Sequence, residues 1–210
     1  MNEYQVEHLD AFSKIRTILG TFSPATLRSI EAEVSGYLAF RHRLDQFLTR
    51  HFDGYCTSAC YRSQRSACCS KDGIIVFWAD VVINALGSRQ EDLDAVETAI
   101  RNPVEPRKCI FLGRQGCLWK IRPLLCAMFL CDGAYETVLH GDRDLERQWD
   151  QFQQESKSFR WPDRPVLFDR LEQCFMDLGC RSSLMHLNTS PGLLRIKRRA
   201  GLLPTDQRAA

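Results

Sequence analysis

The chain has 210 residues, 44% of them apolar and 26% charged, an ordinary globular composition at a length that can bury a core without cross-links. Its net charge of +2 favours neither an acidic nor a basic partner. No segment reaches the roughly 18 uninterrupted apolar residues of a membrane helix, and the opening MNEYQVEHLDAF lacks the basic start and apolar run of a signal peptide. The expectation is a cytoplasmic protein with no membrane association, whose thiols stay reduced.

In chain order, Val6, Leu9, Phe12, Ile15 and Leu19 recur at helical spacing and predict an amphipathic helix over residues 3–19. Ser23-Pro24 then supplies an N-cap followed by proline at the first helical position. Leu27, Ile30, Val34, Leu38, Leu44 and Leu48 continue that helix to about Thr49, and Asp53-Gly54 is expected to break it. Trp78 to Leu86 reads as a helix ending at Gly87. Ser88 with Glu91 forms a capping box for a helix to about Arg101, after which Pro103 and Pro106 enforce an irregular connection. A further helix carries Leu145, Trp149 and Phe152. Val166, Leu167, Leu171, Phe175 and Leu178 mark the last clear one, closed by Gly179.

The predicted fold is mainly α, a single helical domain with cysteine-rich metal-binding loops. Its parts are N-terminal helices over 1–50, a cysteine-cluster core over 51–135, and C-terminal helices with a basic tail over 136–210. The tail carries Arg195, Lys197, Arg198 and Arg199 beside leucines, a pattern read as a solvated face, so nucleic acid is disfavoured as a partner.

Ten cysteines are the unusual feature, and eight of them fall into two windows of 14 and 23 residues, which is not scatter. The first is Cys56-x3-Cys60-x7-Cys68-Cys69, and the second is Cys109-x7-Cys117-x8-Cys126-x4-Cys131. Disulfides, thiol chemistry and metal binding compete to explain them. In a reducing compartment, clustered thiols point to metal before disulfides. Thiolates are soft anionic donors that hold zinc and iron tightly when several converge, and short spacing keeps the loop-closure entropy small. Nearby Gly54, Gly73, Gly113 and Gly116 let the backbone bend around an ion. Eight cysteines suit two four-thiolate sites or one site with spares. One of the adjacent pair Cys68 and Cys69 is expected to serve a second site or a packing position. Cys174 falls on the apolar face of the last helix and reads as a core thiol, with Cys180 as a spare ligand.

A resemblance sharpens this. Ala67-Cys68-Cys69, an apolar segment containing Asp80, Cys109-Ile110-Phe111-Leu112, Gly116-Cys117-Leu118-Trp119 and Arg122-Pro123-x2-Cys126 follow in order. That succession resembles the YkgJ-type family of zinc- or iron-chelating CxxCxxCC proteins, often described as containing an iron–sulfur cluster. It covers roughly residues 52–132. The resemblance implies metal ligands among Cys56, Cys60, Cys68, Cys69, Cys109, Cys117 and Cys126; Cys131 is an addition of this chain to the family pattern, either an eighth ligand or a buried thiol. It also implies that Arg122-Pro123 is a turn that fixes the approach of Cys126, with Arg122 donating hydrogen bonds near the centre. In this chain the first pair and the double cysteine are spaced more loosely than in the family.

The expected function is a metal-binding protein holding an iron–sulfur cluster or zinc, with a redox or structural role; the family description leans it toward iron–sulfur. The alternative is a cluster-containing protein-modifying enzyme, since flagellin lysine methylases resemble the same family. Against catalysis stand the absence of a glycine-rich nucleotide loop and the scatter of His8, His42, His51, His140 and His186. An unidentified protein partner remains open.

Overall fold

The computed structural model describes residues 1–63, 69, 75–103, 108–113, 116–160 and 166–189. The expected basic tail and Cys68 lie outside the described residues. Among those described, no helix is long and apolar enough to cross a membrane.

The fold is mainly α. Helix α1, Glu3–Thr21, starts at a capping box in which the Asn2 side chain accepts from Gln5 N–H and the Gln5 side chain accepts from Asn2 N–H. Its buried stripe is Gln5, His8, Ala11, Phe12 and Ile15, one position round from the expected apolar face. Val6 is consequently half exposed. The stripe turned because His8 and Gln5 find partners inside, on the Tyr4 and Ile100 carbonyls respectively, which apolar periodicity does not register.

Helix α2, Pro24–Tyr55, has the expected Ser23 cap and Pro24 start. Asp53 and Gly54 do not end it. The helix instead continues beyond Tyr55 with a wider, π-helical winding over Cys56–Tyr61, closed by Arg62 N–H donating to Thr57 O at 2.9 Å. A single glycine costs a helix about 1 kcal/mol, too little to break one already anchored by a long buried face.

Helices α3, Trp78–Gly87, and α4, Gln90–Arg101, follow. The box at the start of α4 sits one residue later than expected: Arg89 N–H donates to Asp92 at 3.3 Å. Ser88 turns back instead, its hydroxyl donating to Asn84 Oδ1. The second cysteine segment contains a short antiparallel hairpin, β1 Leu112–Gly113 and β2 Gly116–Cys117, in which Leu112 faces Cys117. Gly116 has φ +114, a conformation that glycine adopts without strain. Short helices α5, Leu124–Ala127, and α6, Asp132–Ala134, lead into a π-helical turn over Tyr135–Leu139.

Helices α7, Arg143–Arg160, and α8, Leu167–Asp177, complete the core, and α9, His186–Thr189, is the last described element. Gly179 closes α8 at φ +80 as expected, but Leu178 points outward and is 57% exposed. One connected apolar core runs from Ala11 on α1 to Met185 before α9, centred on Trp78, Tyr37, Phe40, Phe168 and Phe175. Trp78 alone, fully buried, removes an aromatic surface worth several kcal/mol from water.

Candidate metal centre

Three separate stretches of chain deliver thiols to one place. The π-helical extension of α2 brings Cys56 and Cys60, four residues apart on one helical face. Cys69 is joined to the second segment through Cys109 N–H, which donates to Cys69 O at 2.9 Å. The hairpin supplies Cys117, and α5 supplies Cys126. Cys56, Cys60, Cys69, Cys109, Cys117 and Cys126 line a single cavity of about 190 Å³, together with Phe111, Trp119, Arg122 and Pro123. Among the described residues, its lining includes neither a carboxylate nor an imidazole. Cys56 and Cys117 are exposed, so the site opens toward solvent.

A second cavity of about 200 Å³ adjoins the first and shares Cys56, Cys60 and Arg122 with it. Cys131 lines this neighbour rather than the six-thiol cavity, alongside Asp53, Phe129 and the apolar Leu48, Phe52 and Leu130. Among the described residues the Arg122 side chain has no carboxylate partner within ion-pair distance.

The turn that carries Arg122 and Pro123 is held from behind by buried polar residues on α2 and α3. Asn84 brackets Ile121, its Nδ2 donating to Ile121 O at 2.8 Å while its Oδ1 accepts from Ile121 N–H at 2.9 Å. Arg41, 2% exposed, donates to Arg122 O and to the Tyr37 hydroxyl. Asp80 accepts from Leu124 N–H and Phe77 N–H, both at 3.0 Å. It therefore caps α5, which has no capping side chain of its own, and α3 as well. Complete burial pushes the Asp80 carboxyl up to about 6, although both N–H donors and the Arg41 charge pull the other way.

Helix α1 packs on aromatic residues of the second cysteine segment. Tyr4 stacks on His8 with ring centroids 3.9 Å apart, and His8 meets Phe111 at 5.9 Å. Phe111 in turn packs edge-on against Trp119, which also meets Phe12. Among the described residues, the hydroxyl of Tyr4, Nε2 of His8 and Nε1 of Trp119 are buried and make no hydrogen bond. Burial, and then the negative charge of the Cys109 and Cys126 thiolates, push the Tyr4 phenol far above its ordinary value. His8 is pushed down by burial.

Of the residues singled out from the sequence, Cys56, Cys60, Cys69, Cys109, Cys117, Cys126 and Arg122 thus come together, and Cys131 stands next door. Among the described residues, however, no three or more His, Cys, Asp or Glu side chains are grouped closely enough to hold an ion. Cys180 is core-buried and Cys174 half-buried, and neither lines either cavity. His51 packs on Phe47 away from both linings. Sequence reasoning missed Tyr4, His8, Arg41 and Asn84, which lie far from the cysteines in the chain and carry no local signal of belonging to them.

Family models, curated proteins and solved structures were all compared with this chain, and none matched.

Proposed function

We propose that this chain is a thiolate metal protein whose cysteines Cys56, Cys60, Cys68, Cys69, Cys109, Cys117 and Cys126 hold an iron–sulfur cluster or zinc. The observation that carries the reading is six cysteines from separate segments lining one cavity with no hard oxygen donor among them. Such a donor set suits zinc and iron–sulfur centres and disfavours magnesium or calcium. Among the described residues, one residue of the cavity wall, Trp119, carries a buried donor without a partner, Nε1, which suits a sulfur acceptor. Such a centre supplies either one-electron transfer or a structural pin between the two cysteine segments. The likeness to YkgJ-type proteins points the same way.

Metal analysis with visible and electron-paramagnetic spectra of anaerobically purified protein tests this. Iron and acid-labile sulfide with absorbance near 400 nm are expected. Stoichiometric zinc without that absorbance replaces the cluster by zinc, and protein that binds neither metal overturns the proposal.

A second reading is a cluster-containing modifying enzyme, and one observation favours it: the adjoining cavity of about 200 Å³, whose wall includes Arg122 and two of the same cysteines. Such a cavity has room for a small molecule beside the thiols, with Arg122 and Asp53 as its charged groups. Calorimetry with an adenosyl cofactor distinguishes it, since tight stoichiometric binding is expected of the enzyme and none of a structural or electron-transfer protein.

A further inference from the structure

A centre of thiolates needs hydrogen-bond donors around its sulfurs, and the wall of the six-cysteine cavity holds one that the surrounding fold does not use. Trp119 lines that cavity two residues after Cys117, yet only 4% of it is exposed. Its ring meets Phe12 of α1 at 5.4 Å and Phe111 edge-on at 5.1 Å between centroids, and both neighbours are themselves buried. Leu118 N–H donates to Phe111 O at 2.8 Å and holds the backbone beside both rings. The indole is therefore packed with little room to turn toward a new acceptor. An indole nitrogen can only donate, and among the described residues Nε1 is buried and donates to nothing. Such an N–H is costly unless something supplies its acceptor. Among the described residues, the side-chain acceptors on that wall are the six cysteine sulfurs and the hydroxyl of Tyr61, whose side chain is exposed.

We propose that Trp119 is a positioning residue of the metal site, its indole N–H donating a hydrogen bond to a sulfur of the loaded centre. A protonated thiol is a weak acceptor, whereas a metal-bound thiolate is anionic and makes a charge-assisted bond. The donor thus finds its partner when metal displaces the thiol protons. The bond orients the ligand and disperses its charge, and for an iron centre it raises the reduction potential. Through Phe12, α1 backs the indole and so supports a group that holds a ligand, rather than only covering the cysteine loops.

This role rests on the metal-binding reading, and one experiment separates the two. Trp119→Phe also removes ring volume, so the deciding variant carries 3-benzothienylalanine at position 119, in which sulfur replaces the N–H and the bicyclic shape is kept. The full chain and this variant are loaded anaerobically, once with cobalt(II) and once with iron and sulfide. Retention is measured by chelator competition, and melting of both metal-free proteins is recorded alongside. About tenfold weaker retention of whichever metal the wild type takes up is expected, with a shifted sulfur-to-metal charge-transfer band. The metal-free variant is expected to melt no lower than the wild type, because it loses an unpaired polar atom. A lower melting temperature with unchanged retention means that the N–H serves the protein instead, and that result overturns the role of Trp119 alone. Equal retention with an unshifted band overturns it as well, leaving the ring a packing role. If the wild type takes up neither load, the metal-binding reading falls and the role of Trp119 falls with it.

Discussion

The two sides of the Ile121–Leu124 turn are built of opposite materials. Behind it, Arg41, Asp80 and Asn84 are at most 2% exposed and hold consecutive backbone groups by short hydrogen bonds. In front stand thiols that are exposed or half-buried and come from short elements, a π-helical turn, a two-residue strand and a single-turn helix, and from the loops between them. The rear is a set of directional bonds in a low-dielectric core, where each bond is strong and each loss leaves a partner unpaired. The front is soft donors at an open edge. The lesson is that the backbone position of Cys126 is set from behind by directional bonds, whereas its thiol stands among others that the solvent reaches.

The largest effect that tests this contrast comes from the rear. Asp80→Ala leaves Phe77 N–H and Leu124 N–H without their acceptor in the core and should cost about 3 kcal/mol or more in denaturant unfolding, with metal capacity lost too. A variant as stable as the wild type would dissolve the idea of a rigid rear frame. Cys126→Ser should do the opposite: metal-free stability within about 1 kcal/mol of wild type, but metal retention at least tenfold weaker. If it instead unfolds the metal-free chain, the front is structural in its own right.

A third test sits away from the turn. His186 Nε2 is 2.8 Å from Asp169, and its Nδ1 is 2.7 Å from Glu172 but off the line of a hydrogen bond. Although burial opposes the charge, the two carboxylates outweigh it and raise His186 from 6.5 to about 9. A raised folded value means that the stabilisation is complete below about 6.5 and fades as pH climbs through about 9. Urea unfolding across that window should show a loss on the order of 2 kcal/mol that His186→Gln abolishes. A flat profile in the wild type would remove the charged pair from the account. The smallest effect belongs to Cys174→Ser: half-buried and outside both cavities, it should shift stability by about 1 kcal/mol or less and leave metal content unchanged.

Much of the helical order was legible in the sequence because it rests on local chemistry. Ser23-Pro24, Trp78 with the apolar run behind it, and Gly179 each act within a turn or two of themselves. The misreadings share one cause. Gly54 was expected to stop α2 and Ser88 to cap α4, but buried contacts elsewhere outweighed a local preference of about 1 kcal/mol. Val6 was expected inside for the same reason, since His8 and Gln5 occupy the core face through hydrogen bonds that a hydrophobic pattern does not see.

For the candidate site, the cysteine spacing alone picked out the thiols that gather at the cavity, because thiols are rare and their clustering is visible in one dimension. It determined as well that α-helices would dominate, through the period of the apolar positions. Only the tertiary structure decided that Cys131 faces a neighbouring cavity, that Cys174 and Cys180 stand apart, and that Arg41, Asp80 and Asn84 grip the turn before Cys126. It alone set Tyr4 on His8 and His8 on Phe111 of the second cysteine segment, more than a hundred residues away in the chain. Local spacing fixes what a residue can bind, but which groups meet inside depends on how helix faces pack, and no short stretch of sequence carries that.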